Sequence, residues 1–299
     1  MRQFQANLKP FSSECDKQMN LSVEKLSAGY EGKEVLHEIS FDIDGPGITV
    51  VLGKNGSGKT TLFRALTGIL KTSPGCILYN GKPIFDAGIS IGYYAHTYGV
   101  PMGFSVSQII EFFAGMENVD DERIDEVRRL LDLESIWDSG FTSLSQGQKK
   151  KVSLAKCLLR DRDLYIFDEP TSNLDPNISS EIREIMRVYA QKKIVIYSSH
   201  NLYEAQELGT DVVMIDTGRI RYSGSISGIS IGIHTIGIRG EKITSIYPDA
   251  KLDGKYYTFT VKDQNEVDQI VKKLVESGAR IYEVKELGNP LEELYGGQN

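Results

Sequence analysis

An apolar run, Ile48-Thr49-Val50-Val51-Leu52, ends directly in the stretch Gly53-Lys54-Asn55-Gly56-Ser57-Gly58-Lys59-Thr60. Glycine packs almost nothing, so three glycines after a buried strand mark a backbone that turns tightly or meets a ligand. The spacing G-x-x-x-x-G-K-[ST] aims several backbone N–H groups at one point. Thr61-Leu62-Phe63-Arg64-Ala65-Leu66 can open a helix whose N-terminus also favours an anion. Lys59 adds a cation able to reach β- and γ-phosphates, and Thr60 offers a hydroxyl to Mg²⁺. This is a phosphate-binding P-loop, with Gly53 through Thr61 as the candidate nucleotide contacts. It commits the chain to a strand–loop–helix unit, but does not say what the nucleotide drives.

The remaining pattern builds around that unit. Leu21 to Asp44 reads as short strands with a turn at Glu31-Gly32, and Cys76 to Pro83 as a strand and a turn. Ile89 to Tyr94 is a further strand. From about Val106 to Arg160 the character is helical, with Ile124, Val127, Leu130 and Leu131 on one face. Leu164–Phe167, Ile194–Tyr197 and Val212–Ile215 are buried-type strands. Ile178, Ile182, Ile185, Met186 and Tyr189 mark an amphipathic helix among them, and Asp216 to Arg219 can close a hairpin. Strands alternating with helices predict an α/β fold with a parallel core sheet.

Ser223 to Gly240 alternates isoleucine with Gly, Ser, His or Thr and reads as linker plus strand. Beyond it lie a strand (Lys255–Val261), a helix face (Val267, Ile270, Val271, Leu274, Val275) with Asp263 and Glu266 placed for a cap, and a strand (Arg280–Val284). Leu291 to Tyr295 reads as a short terminal helix. The expected organisation is an N-terminal extension (1–18), a large domain (19–224, helical over about 99–160) and a small C-terminal βαβ domain (225–299).

At 299 residues the chain can bury a large core, and 40% hydrophobic with 25% charged residues suits a globular protein. A net charge of −7 argues against bulk binding to nucleic acid. Cys15, Cys76 and Cys157 lack metal-ligand spacing and read as reduced thiols of a cytosolic protein. No apolar run is long enough to span a bilayer, and the first residues lack the apolar stretch of a signal peptide.

Phe167-Asp168-Glu169-Pro170 ends a buried strand, where ligands of parallel sheets bind. Asp168 suits a Mg²⁺ shell, and Glu169 is placed to polarise a water as general base. The alternative is a pair of carboxylates before a turn. Upstream, the stretch LSQGQ, Leu144 to Gln148, precedes a helix that Ser145 can cap. Ser145 and Gly147 can there present a hydroxyl and a backbone N–H to a phosphate.

Together these motifs resemble the ATP-binding cassette (ABC) ATPases. The P-loop GKNGSGKT, the signature-like LSQGQ, the stretch LYIFDEP, and SNLD at Ser172 to Asp175 stand in that family's order. His200 stands where the family has a switch histidine that senses the γ-phosphate, and Tyr30 where it has an aromatic that stacks on adenine. The resemblance covers roughly Leu21 to Gly224. It implies a P-loop NTPase cassette of three parts: a parallel core sheet, an antiparallel β subdomain and a helical signature subdomain. It also implies ATP and Mg²⁺ as cofactors, Asp175 among the nucleotide contacts, and ATP hydrolysis with Glu169, His200 and Lys59 as catalytic residues.

Two positions depart from the family. Gln146 replaces the signature's usual third-position glycine, and His96 takes the place of a glutamine after the strand ending at Tyr94. An imidazole nitrogen of His96 could join Thr60 and Asp168 on Mg²⁺. His37 and His234 take no role. The family pairs head to tail, each ATP lying between one P-loop and the partner's signature. A homodimer or a homologous ATPase partner is therefore expected, along with transmembrane permease subunits that could meet the apolar stretch Tyr98 to Phe113. The tail resembles those of drug- and antibiotic-export ATPases. The leading expectation is the ATP-hydrolysing subunit of an ABC transporter, an exporter, peripheral on the cytoplasmic face of the membrane. The alternatives are a soluble ABC ATPase acting on ribosomes or DNA, and a cassette that binds ATP without turnover.

Overall fold

The computed structural model describes residues 19–72, 76–95, 98–226, 234–261 and 264–288. The extension 1–18, with Cys15, lies outside them, as do His96, Asp263 and the stretch Leu291 to Tyr295. The chain divides into two compact units, Met1–Ser223 and Gly224–Asn299.

The first unit opens with β1 (Asn20–Tyr30) and β2 (Lys33–Asp44), an antiparallel pair. Glu31 and Gly32 close it with φ of +49° and +80°, the left-handed pair a two-residue hairpin turn requires. The strands are longer than the alternation of the sequence suggests. Lys25 and Glu38 take left-handed φ of 45° and 50° where the register shifts, which breaks the period of two. Hydroxyls from the facing strand accept the N–H groups this leaves: Lys25 N donates to Ser40 Oγ at 2.8 Å and Glu38 N to Ser27 Oγ at 3.1 Å.

The core sheet starts with β3 (Gly47–Leu52), which feeds α1 (Lys59–Leu66) through the P-loop. Two short strands, β4 (Ile77–Tyr79) and β5 (Lys82–Pro83), extend the hairpin into an antiparallel sheet of order β2-β1-β4-β5. Then come β6 (Ile91–Tyr94) and the helices α2 (Val106–Glu117), α3 (Asp121–Leu130) and α4 (Gln146–Leu158). The chain returns to the sheet with β7 (Leu164–Phe167), α5 (Pro176–Ala190), β8 (Ile194–Ser199), α6 (Leu202–Leu208), β9 (Asp211–Asp216) and β10 (Arg219–Ser225).

The six strands run in the order β10-β9-β3-β8-β7-β6, and β9, β3, β8, β7 and β6 pair parallel. All four residues of β7 and all six of β8 are buried, as strands covered on both faces must be. Leu62, Phe63 and Leu66 of α1 share one apolar cluster with Val51 and Ile196 of the core sheet and with Leu26, Leu36 and Ile39 of the hairpin. That packing fixes the P-loop helix between two sheets.

The second unit comprises β11 (His234–Glu241), α7 (Ile243–Ile246), β12 (Lys251–Asp253), β13 (Tyr256–Val261), α8 (Gln264–Glu276) and β14 (Arg280–Gly288). The βαβ segment expected there is only part of it. β11 stands between β13 and β14, antiparallel to both, in a four-stranded sheet of order β12-β13-β11-β14. Ile236 and Ile238 of β11 join Phe259, Val261 and Leu274 in a separate core. The glycines of this strand permit close approach: a Cβ on Gly240 would lie 2.2 Å from the Arg280 carbonyl oxygen.

Candidate functional site

Parallel pairing brings the C-terminal ends of β3, β8 and β7 together, with Leu52 beside Ser199 and Phe167 beside Tyr197. The P-loop leaves β3 at that edge. Gly53 cannot be another residue here, because a Cβ would lie 2.3 Å from Ser57 Oγ and 2.5 Å from the Ile215 carbonyl oxygen. Gly58 is the N-cap of α1 at φ +114°, and no side chain caps the helix. The first N–H groups of α1 therefore point into the loop without a side-chain acceptor, the arrangement that favours a bound phosphate. Gly218 N donates to the Ser57 carbonyl at 2.9 Å and holds the loop to the β9–β10 turn.

Lys59 and Thr60 reach across to the acidic pair. Lys59 is buried, and its Nζ donates to the Gly53 carbonyl at 2.7 Å and lies 3.4 Å from Glu169 Oε1. Thr60 Oγ1 donates to Asp168 Oδ2 at 2.8 Å, and Ser198 Oγ donates to Asp168 Oδ1 at 2.9 Å. Glu169 N donates to the same Ser198 hydroxyl at 2.8 Å. The backbone of Glu169 is left-handed, φ +49°, which costs an L-residue about 1 kcal/mol and turns its carboxylate back toward Lys59. Among the described residues no three His, Cys, Asp or Glu side chains cluster as a metal site. A hydroxyl and one buried carboxylate 2.8 Å apart are hard oxygen donors that fit Mg²⁺, an ion that completes its shell with water and phosphate oxygens.

The signature-like stretch forms the head of α4. Ser145 Oγ accepts from Gln148 N at 3.2 Å while Gln148 Oε1 accepts from Ser145 N at 2.9 Å, a reciprocal capping box. Among the described residues the Ser145 hydroxyl serves as acceptor, which leaves its hydrogen for a phosphate oxygen. Gly147 has a packing reason as well, because a Cβ would lie 2.4 Å from Ile178 Cδ1 of α5. Gln146 is exposed and accepts from Tyr98 Oη at 3.3 Å. Asp175 caps α5 through Asn177 N and Ile178 N, both at 3.1 Å. Tyr30 lies 38% exposed, with Arg64 of α1 donating to its hydroxyl at 3.1 Å. His200 follows β8 directly and is exposed.

One residue carries no motif signal. Lys150 of α4 is 6% exposed and donates to the carbonyl and, at 3.0 Å, to the hydroxyl of Ser172, with a longer 3.4 Å contact to the Glu169 carbonyl. Burial pushes its pKa down, against the opposing pull of Glu169 and Glu204. It binds the signature helix to the loop that follows the acidic pair.

A family model described as ABC transporter matches residues 36–172. The probable sulfate/thiosulfate import ATP-binding protein CysA of Chlorella vulgaris is 28% identical over 71% of this chain and 94% of its own length. The structure of cbiO1 from Clostridium perfringens, part of the ABC transporter complex cbiONQ, is 30% identical with a TM-score of 0.61, over 71% of this chain and 91% of that one. A bacterial Atm1-family ABC exporter with ATP bound shares the fold at a TM-score of 0.63 and 21% identity, over 74% of this chain and 41% of that chain.

Proposed function

The chain belongs to the ABC transporter family, as an ATP-binding subunit, and on that premise we propose that it hydrolyses ATP to drive export through transmembrane permease subunits. The observation that carries the reading is the convergence of Lys59, Thr60, Asp168 and Glu169 at one edge of a parallel sheet, with Lys59 Nζ 3.4 Å from Glu169 Oε1. The P-loop N–H groups and Lys59 bind the phosphates, and Tyr30 stacks on adenine. Thr60 and Asp168 would hold Mg²⁺, with His96 assigned to the same ion from its place in the sequence alone; a bound ion would neutralise phosphate charge. Glu169 takes a proton from the attacking water, and His200 meets the γ-phosphate.

The active unit is a head-to-tail pair with a second copy or a homologous ATPase. The exposed N-terminus of α4 supports this, since Ser145 and Gly147 then complete the partner's site together with Asp175. Met102, Phe104, Phe112 and Met116 are exposed apolar side chains in and before α2, and they suit docking onto a permease. No described helix is long and apolar enough to cross a membrane. The family reading gives the spanning part to the permease and places this subunit on its cytoplasmic face. The export reading rests on the likeness of the tail sequence to those of drug- and antibiotic-export ATPases, whereas the Chlorella vulgaris relative is named for import.

Glu169→Gln tests the reading, because it keeps shape and removes the proton acceptor. Turnover should fall by about 10²–10⁴, the usual contribution of a positioned general base, while ATP binding survives. The variant should elute at doubled mass in ATP, and adding Ser145→Arg should abolish that species. Wild-type phosphate release in Glu169→Gln refutes the base; ATP-dependent dimers in the double variant refute the head-to-tail pair.

A further inference from the structure

Glu204 lies on α6, four residues past His200, and three hydroxyls, two from β8 and one from the segment after Glu169, converge on its carboxylate. Thr171 Oγ1 donates to Oε1 at 2.9 Å, Tyr197 Oη donates to Oε2 at 2.6 Å, and Ser199 Oγ donates to Oε2 at 2.7 Å. Thr171, Tyr197 and Ser199 are all buried. Arg183 of α5 adds a cation, its Nη1 3.4 Å from Oε1. An ionised carboxylate only accepts, with about four lone-pair sites, so it can hold three hydroxyls and an arginine at once. No neutral side chain of that size can.

The positions of the donors give the cluster its meaning. Thr171 comes two residues after Glu169. Ser199 immediately precedes His200, and the same Ser199 hydroxyl accepts from Asn201 N at 2.9 Å on the other side of that histidine. The carboxylate thus holds Ser199 on one side of His200, reaches Asn201 on the other side only through that same hydroxyl, and holds the segment leaving Glu169 through Thr171. Burial and the Glu204 charge push the Tyr197 phenol far above its usual range, so that hydroxyl stays a donor at any ordinary pH.

We propose that Glu204 is a positioning residue for ATP hydrolysis, bracing the turn that bears His200 against the turn that bears Glu169. The proposal rests on the catalytic roles given above to those two residues. It does not give Glu204 any contact with nucleotide. Its effect is geometric: a displacement of about 1 Å at a reacting group can cost on the order of 10²-fold in rate.

The experiment is a double-mutant cycle on the full chain, read by single-turnover hydrolysis of radiolabelled ATP and by binding of a fluorescent ATP analogue. Glu204→Gln keeps the volume but puts an amide donor opposite a hydroxyl donor. Its hydrolysis rate should fall about ten- to a hundredfold, with the dissociation constant changed by less than about threefold. In a His200→Ala background the same substitution should cost under about threefold, because the group it positions is gone. Arg183 keeps Glu207 as a partner, Nε to Oε2 at 3.6 Å, so the variant leaves no lone buried cation. Should Glu204→Gln fail to fold, Thr171→Val removes one of the three donors at equal volume. It should show a smaller loss with the same non-additivity.

Wild-type hydrolysis in Glu204→Gln overturns the proposal, as does a loss that multiplies in full onto an impaired His200→Ala. Weakened nucleotide binding that accounts for the whole loss overturns it too. Wild-type hydrolysis in His200→Ala instead overturns the role of His200, and the bracing argument falls with it.

Discussion

Replacing Lys150 by methionine removes the ammonium that joins α4 to the loop after Glu169, with little change in length. Lys150 Nζ makes two good hydrogen bonds, to the carbonyl and hydroxyl of Ser172. A hydrogen bond from a charged donor contributes about 1.5–3 kcal/mol, but the buried ammonium also carries a desolvation cost, visible in its lowered pKa. In the variant, Ser172 Oγ keeps its own bond to the Glu169 carbonyl at 2.9 Å, so the Ser172 carbonyl is the main orphan. An orphaned buried acceptor costs about 1–3 kcal/mol. The expected net loss is about 2 kcal/mol, near thirtyfold in the folding equilibrium. The chain has one tryptophan, Trp137, which lies under the Arg128 guanidinium at 4.4 Å. Its fluorescence during urea unfolding reports the unit that holds Lys150. The midpoint should fall at unchanged slope, and kcat should fall because the turn bearing Glu169 is less restrained. A loss below about 0.5 kcal/mol would refute the reasoning, since it would mean that desolvation cancels the bonds.

Two further outcomes follow from close approach and burial. Gly53→Ala places a Cβ 2.5 Å from the Ile215 carbonyl oxygen and should cost about 1–3 kcal/mol. Gly56→Ala meets nothing within 4 Å and should cost about 1 kcal/mol, from its φ of +79° alone. Thermal unfolding of the two variants ranks them, and the reverse order would contradict the packing. Cys157 is buried, and that burial pushes its pKa up to about 12, so very little of it is thiolate at pH 8. Maleimide should label half-buried Cys76 but not Cys157 until the chain unfolds, read by peptide mass spectrometry; native labelling of both at equal rates would count against this.

The P-loop is legible because its residues answer to local requirements, a tight backbone at Gly56 and Gly58 and a cation at Lys59. Likewise β7 and β8 are short apolar runs that periodicity can find. What escaped depends on partners far along the chain. Lys150 meets Ser172, Ser198 meets Asp168 and Glu204 meets Thr171, and nothing local in a lysine, a serine or a glutamate announces a partner 22 to 33 residues away. β11 was obscured differently. A strand is legible within Ser223 to Gly240, but nothing in its glycines shows that it stands between β13 and β14, so from sequence the second unit looks like a βαβ piece.

Arg123 of α3 donates to the carbonyls of Leu158 and Leu159, at 2.6 and 3.0 Å, at the far end of α4 from Ser145. The same guanidinium meets Glu126 and Tyr189 Oη of α5. A helix ordinarily frays at its termini and absorbs small displacements there. Here one end is closed by its own serine and glutamine, and the other by an arginine from a neighbouring helix. Thirteen residues make a rod about 20 Å long. With both ends held, that rod has little slack at its termini, so a displacement of Ser145 has to be taken up by the helix as a whole rather than by a frayed last turn.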